Sequence, residues 1–429
     1  MEPPINYSGA PEGPYINQKP QKKSGGFKGC MLIGTIILLL LIAGAALLIY
    51  KLTGEVKKIV DIPNNVFGPP TENPENVDKR FAGSFIDAVL IPQSDGSTKL
   101  FVLTDGSVKY MLKQKSTGRF SMGWACNDCK TISYIYDPAA DKVVTQTENK
   151  FSDIISQSHI IYANGKIMQF TNPTEKDGPR INTYDPASGE IIADTKAFLD
   201  QHQELSSGII DLTFHDRDQT VSFLTKDGQR DLVYDPASDK IYKDEIKMRN
   251  ELGESAGGGR GTIYFLRTET GDKRESLFKV TASKKDIITR ESTLESYLTN
   301  QSFLKDIIPT AVVEKPTDKT FLNGKIYYQD DDYFVIIYLD QAGKIANRLL
   351  VCYDAKTGKE AWSLEPDALF PEMKINEKDD SGSSYTMTYD KIKFRRANNI
   401  LMMTFQETGM KGFDLKSGKQ IWQLEIHAK

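Results

Sequence analysis

The chain has 429 residues, 54 basic and 58 acidic side chains, a formal charge of −4, 39% apolar residues and four cysteines. That apolar content is enough to bury a core, which excludes wholesale disorder. Four cysteines exclude a scaffold built mainly on disulfides, and a near-neutral balance excludes the global basic footprint of a nucleic-acid binder.

Residues 1–29 carry five prolines and four lysines against two glutamates, with no apolar periodicity. Such a segment cannot bury enough surface to offset its ordering entropy, so the expectation is a disordered cytoplasmic tail. From Cys30 to Tyr50 run twenty-one residues without a charge. At 1.5 Å per residue about 20 apolar residues cross a hydrocarbon core, so residues 30–50 are expected to form one transmembrane helix in a lipid bilayer. The run continues through Leu47, Leu48, Ile49 and Tyr50, past Ala43-Gly44-Ala45, which favours a retained signal anchor over a cleaved leader. Lys19, Lys22, Lys23 and Lys28 precede the run and Lys51, Lys57 and Lys58 follow it. This bias, with the long C-terminal remainder, predicts a cytoplasmic N-terminus and an extracytoplasmic C-terminal domain, as in a bacterial cell membrane. Residues 51–80, with four prolines, read as a stalk linker.

Residues 81–429 repeat themselves. IYDPAADKVV from Ile135, TYDPASGEII from Thr183, VYDPASDKIY from Val233, CYDAKTGKEAW from Cys352 and GFDLKSGKQIW from Gly412 each pair a strand ending in an aromatic and Asp with a turn and a second strand. The carboxylates of Asp137, Asp185, Asp235, Asp354 and Asp414 are suited to accept backbone N–H bonds inside the turn. Gly189, Gly358 and Gly418 are suited to positive φ. Intervals of 48, 50, 119 and 60 residues separate the aromatic positions, and FLRTETGDKRESLFKV from Phe265 is a degenerate unit inside the long one. Asp-Gly and Asn-Gly pairs between alternating strands point to four-stranded antiparallel units. About 350 residues at a period near 48 predict an all-β propeller of about seven blades, with short helical insertions. Three insertions have helical character: TKAFLDQHQEL from Thr195, DEIKMRNEL from Asp244, and STLESYLTNQSFLKDII with Ser292 as its expected N-cap. They are expected on one rim, where binding residues usually lie.

Asp354, Thr357, Gly358 and Trp362, and again Asp414, Ser417, Gly418 and Trp422, make D-x-x-(T/S)-G-x-x-x-W. This repeat resembles that of quinoprotein-like propellers, a resemblance at repeat level that implies Trp362 and Trp422 docked onto neighbouring blades. The Tyr-Asp-Pro turns are also similar to those of Kelch repeats. The family includes alcohol dehydrogenases that hold calcium and a quinone, many over adjacent cysteines. No Cys-Cys pair is present and no Glu, Asn and Asp set carries over, so no cofactor and no catalytic residue is expected.

Cys126 and Cys129 form C-x-x-C, either a redox pair or a short disulfide. The flanking strand and turn pattern favours the disulfide in an oxidising compartment. Cys352 in LLVCYD reads as a buried apolar thiol, and the four histidines show no ligand spacing, so no metal site is expected. FHDRD around His215 and QDDDY around Asp331 read as solvated turns. The functional expectation is a membrane-anchored extracytoplasmic binding or scaffolding module for an envelope protein or polymer, held on a propeller rim. The alternative is a small-ligand sensor or enzyme using the central funnel.

Overall fold

The computed structural model describes residues 75–116, 119–151, 158–172, 178–215, 218–268, 274–340, 348–365, 392–406 and 408–427. The expected tail, the expected anchor at 30–50 and most of the expected stalk lie outside them. No helix among the described residues is long and apolar enough to cross a membrane.

The described residues are mostly β, in five antiparallel sheets. The first holds β1 (Ser84–Pro92), β2 (Thr98–Asp105), β3 (Val108–Ser116), β4 (Arg119–Asp137) and β5 (Lys142–Phe151). The second runs β6 (Ser158–Ala163), β7 (Lys166–Thr171), β8 (Arg180–Tyr184), β9 (Ile191–Ala193), and the third β10 (Ile209–His215), β11 (Thr220–Thr225), β12 (Leu232–Asp235), β13 (Lys240–Tyr242). The fourth has seven strands: β14 (Arg260–Thr268), β15 (Arg274–Ser283), β16 (Val312–Glu314), β17 (Thr320–Gln329), β18 (Tyr333–Leu339), β19 (Arg348–Asp354) and β20 (Glu360–Leu364). The fifth is β21 (Ile392–Ala397), β22 (Ile400–Phe405), β23 (Gly409–Asp414) and β24 (Gln420–Glu425).

Three sheets are thus the four-stranded meanders that the sequence predicts, and β17 to β20 make a fourth such run. The described strands group as five sheets and not as seven four-stranded units. The 119-residue interval that suggested two units holds β13 to β18, and helices share it with them.

The α-helices among the described residues are α1 (Thr195–Gln201) and, within that interval, α2 (Glu245–Ser255), α3 (Lys284–Ser296) and α4 (Gln301–Ile307). Asp194 and Asp244 cap α1 and α2 by accepting the Ala197 and Lys247 N–H groups. The expected N-cap at Ser292 is corrected: α3 is capped nine residues earlier, where Ser283 Oγ accepts the Asp286 N–H and donates to the Asp286 carboxylate. The helices also do more than decorate a rim. Met248 of α2 packs on Val233 and Tyr242 of the third sheet, while Leu294, Leu298 and Leu304 pack on β14 and β15. α2 meets α3 between them, with the Arg249 guanidinium donating to the Ile288 carbonyl at 3.1 Å.

Apolar faces join the sheets in sequence. Val89, Phe101 and Ile135 of the first sheet pack on Ile160, Ile167 and Tyr184 of the second. Phe170 and Ile181 of the second pack on Val221, Phe223 and Tyr234 of the third. Val335, Leu350 and Trp362 of the fourth pack on Phe394, Leu401 and Phe413 of the fifth. Met402, Met410 and Leu424 of the fifth return to Leu90, Leu100 and Tyr134 of the first. The last sheet therefore covers the first. Backbone bonds reinforce this junction: Val77 and Asp78 N–H donate to the His427 and Glu425 carbonyls, both at 2.9 Å. The folded unit accordingly begins before residue 81, with residues 76–80 of the expected stalk bonded into it.

The two Asn-Gly pairs behave differently. Asn164-Gly165 is the predicted hairpin turn, both residues at positive φ. Asn323-Gly324 instead forms an irregularity inside β17, where the register shifts between Leu322 and Lys325.

Candidate functional site

The five repeat turns are built as the sequence predicts. Asp137 accepts from the Ala139 and Ala140 N–H groups, Asp185 from Ala187 and Ser188, and Asp235 from Ala237. Asp354 accepts from Lys356 and Thr357, and Asp414 from the Ser417 N–H and hydroxyl. The backbone N–H of Thr357 leads the bonds that hold the Asp354 carboxyl below the usual range, and the Ser417 hydroxyl does so at Asp414. Gly189, Gly358 and Gly418 have φ of 75°, 69° and 68°. In the other two turns Asp141 and Asp239 take the glycine's place at φ of 50° and 55°.

Each turn also receives a donor from the sheet or segment that precedes it. Trp362 Nε1 donates to the Leu415 carbonyl at 2.8 Å, and Tyr264 Oη to the Ala355 carbonyl at 2.7 Å. Asn164 Nδ2 donates to the Pro236 and Ala237 carbonyls at 3.0 and 2.8 Å. Ser133 Oγ donates to the Gly189 carbonyl at 2.6 Å and Thr145 Oγ1 to Ser188 at 2.9 Å. Arg80 Nη1 donates to the Asp141 carbonyl at 2.9 Å and to its carboxylate at 2.6 Å. Trp362 meets the docking expectation. Trp422 lies over Gly412 of its own sheet and against the core shared by the fifth and first sheets.

Cys126 and Cys129 are joined by a disulfide, with Cα atoms 5.4 Å apart. The bond encloses a bulge: Val108 faces Asp128 and Lys109 faces Cys126, so Asn127 has no partner across the ladder. Cys352 is buried, and burial pushes its thiol up to about 12. Asp331 of the QDDDY segment is exposed, as expected, while its half-buried neighbours are paired: the Arg396 guanidinium holds Asp330 at 2.6 Å and Asp332 at 3.1 Å, and Lys356 reaches Asp332 at 2.9 Å.

A polar cluster sits where the first strands of neighbouring sheets converge. β1 approaches both β6 and β21. Asp87 of β1 is 3% exposed, and Arg395 of β21 grips both its carboxylate oxygens at 2.7 Å. Burial would raise this carboxyl, but the charges of Arg395 and Lys393 outweigh it and hold the group below the ordinary carboxylate range. Arg395 also donates to the Ile160 carbonyl at 3.2 Å. Lys393 Nζ lies 3.9 Å from Asp87 and 3.2 Å from His159 Nδ1. An ammonium only donates, so His159 Nδ1 accepts and the proton of the neutral ring sits on Nε2. The His159 ring stacks on Phe214 of β10 at 4.3 Å. Two cations thus face one carboxylate. Among the described residues no group of three His, Cys, Asp or Glu side chains is placed to hold a metal ion.

No signal local to the sequence marks this cluster, since Asp87 and Arg395 lie 308 positions apart. A separate cleft of about 480 Å³ opens between residues 75–83 and Lys130, Gln146 and Glu148, and the Lys130–Glu148 pair at 3.1 Å lies in its wall.

No protein-family model matches this chain, and no curated protein matches it. Among solved structures it is similar to the computationally designed Ika8 protein at 10% identity, TM-score 0.21, over 84% of this chain and 92% of that one. It is also similar to the WD40 domain of SCAP from fission yeast, at 10% identity and TM-score 0.22 over 79% and 86%, and to Sqt1 of Saccharomyces cerevisiae, at 8% and 0.17 over 80% and 74%. Scores this low carry no argument about fold or function.

Proposed function

We propose that the chain is a bilayer-tethered, extracytoplasmic β-propeller of the quinoprotein-like repeat type that binds an envelope protein or polymer on its rim and performs no chemistry. In this reading the ring has six units: the first, second, third and fifth sheets, and the fourth sheet divided into β14–β16 and β17–β20. The observation that carries it is the Asp87–Arg395 pair where β1 and β21 converge. Both oxygens of the one buried acid there are committed to holding strands together, which is a structural use of a group that a catalyst would keep accessible. The closure of the last sheet on the first and the Cys126–Cys129 bond support the ring and the oxidising compartment.

The test has two parts. A reporter active only outside the cytoplasm, fused after Lys429, is expected to be active, and activity of a cytoplasm-only reporter there overturns the placement. Thermal-shift titration of the full chain with quinones, sugars and divalent cations is expected to give no stoichiometric shift. The Lys393–His159 contact beside Arg395 favours a second reading, a funnel that holds a small anion. A stoichiometric shift with an anionic ligand, lost in Lys393→Gln, would replace the scaffolding reading by that one.

A further inference from the structure

The outer strand of the first sheet differs from its counterparts. β5 is 10 residues long, whereas β9, β13, β20 and β24, which end the second, third, fourth and fifth sheets, have 3, 3, 5 and 6. It pairs with β4 and with no other strand among the described residues. The register of that pair shifts once, between Ile135 and Tyr136 beside the repeat turn, and from Thr145 to Phe151 it is continuous. A regular edge of this length presents a row of backbone N–H and C=O groups on which a further strand can form.

The two faces of β5 do different things. Thr145 and Thr147 turn to the second sheet, where their hydroxyls donate to the Ser188 carbonyl at 2.9 and 3.4 Å. Gln146 and Glu148 lie on the opposite face and line the cleft of about 480 Å³ whose other wall is residues 75–83. That volume falls in the range of ligand-holding clefts. Phe81 and Ile132, both buried, give it apolar surface. Its charged groups are matched among themselves, Lys79 with Glu75 at 3.0 Å and Lys130 with Glu148 at 3.1 Å. Asn76, also in the wall, is only half matched. It is 4% exposed, and its Nδ2 donates to the Phe81 and Gly83 carbonyls at 2.9 and 2.7 Å. Those two acceptors fix which end of the amide is nitrogen, and Oδ1 receives no hydrogen bond among the described residues. An acceptor held on a buried side chain without a donor is a place for a ligand's N–H or O–H.

We propose that an extended segment of a partner protein adds to the sheet along Thr145–Phe151 and places an uncharged, donor-tipped side chain such as glutamine in this cleft, against Asn76 Oδ1. Alternate side chains of an added strand share the face of Gln146 and Glu148, so main-chain bonds supply affinity and the cleft selects one side chain. A carboxylate in the cleft would meet an acceptor at Asn76, and an ammonium would have to displace Lys79 or Lys130 from its glutamate. The site lies on the outer edge of a sheet and not on a rim, so it stands apart from the rim contact proposed above and from the bilayer tether.

The experiment selects from a library of random heptapeptides on the full chain in detergent micelles, and follows the enriched peptides by titration and amide exchange. The expected result is peptides with glutamine or asparagine enriched at one position, which slow exchange in residues 145–151 and not in β9, β13, β20 or β24. Changing that residue to alanine is expected to weaken binding about five-fold, the net contribution of one hydrogen bond, and changing it to glutamate is expected to weaken it further. N-methylation of the peptide amides that face β5 is expected to abolish binding, and N-methylation of the alternate amides to leave it intact. Gln146→Trp fills the cleft from an exposed strand position and is expected to remove the preference for glutamine, with an unchanged melting temperature as its control. Selection that yields no peptide protecting residues 145–151 overturns the proposal, as does protection without preference at any peptide position. Peptides that protect the loops of one rim instead support the rim contact and overturn this site. Exchange in residues 145–151 that slows with protein concentration in the absence of peptide assigns the edge to a second copy of the chain and also overturns it.

Discussion

Trp362 of β20 lies on Gly418 of the next sheet so closely that a Cβ there would come within 2.6 Å of the indole. The indole donates to Leu415 in the same turn, and this contact and the positive φ together explain why that position is glycine. Gly418→Ala is therefore expected to cost about 2–4 kcal/mol, from an unfavourable φ and displacement of a buried ring. Gly165→Ala is the control, since Gly165 also has positive φ (71°) but a Cβ there would meet no atom within 4 Å. It is expected to cost only about 1 kcal/mol. Urea unfolding of both variants checks this, and equal losses would show that Trp362 contributes nothing to the requirement.

The Asp87–Arg395 pair should behave as a buried pair. Asp87→Asn leaves a guanidinium without its counter-charge and is expected to cost about 3–5 kcal/mol, whereas Asp87→Leu with Arg395→Met should cost less than either single change. Because the folded carboxyl lies below its unfolded value of about 4, its contribution is fully present above about pH 4 and is lost as pH falls through the folded value. The slope of stability against pH below about 4 should be shallower in the double variant. A double change costlier than Asp87→Asn would reject the assignment.

His202 gives a second pH dependence at a different place. It is 6% exposed, with its ring against Phe198 and Tyr234 and Nε2 3.5 Å from Asp239. Burial holds its pKa below the ordinary histidine value, more than the Asp239 charge restores. The unfolded chain thus takes up a proton first on acidification, so stability is lost as pH falls from about 6.5 toward the folded value. His202→Gln should flatten that part of the curve in chemical denaturation at pH 7.5, 6.5 and 5.5. An unchanged slope would place the ring in water.

The turns were legible because an Asp, two or three turn residues and a glycine act within ten residues, and Asp137, Asp185, Asp235, Asp354 and Asp414 all do what that spacing implies. Their docking partners were not, apart from Trp362. Arg80, Ser133, Asn164 and Tyr264 perform the same act, donation to a turn carbonyl, with four different side chains, so no repeated letter records it. The grouping of the strands was obscured for a related reason: α2, α3 and α4 share the long interval with β13 to β18, and length alone does not distinguish helices packed beside a sheet from strands within it. The ion pair Asp87–Arg395 joins opposite ends of the domain and only the closure of the last sheet on the first brings it together.

The cysteines can be tested by their order of reaction. Cys126 and Cys129 are bonded, and Cys352 is fully buried in the core shared by the fourth and fifth sheets, with its thiol raised by burial. A maleimide applied to the native chain should leave all three unlabelled. Reductant should expose Cys126 and Cys129 while Cys352 stays protected, and only denaturant should release Cys352. The bonded pair closes a loop of four residues, so loop entropy predicts that Cys126→Ser/Cys129→Ser costs about 2 kcal/mol. Because the bond lies at the end of the β3–β4 pairing and the pairing of β4 with β2 begins beyond it at Thr131, that loss should appear as faster amide exchange in residues 108–116 and 119–128, with residues 131–136 unchanged. Uniformly faster exchange through β2 and β5 would instead make the disulfide part of the sheet's own stability.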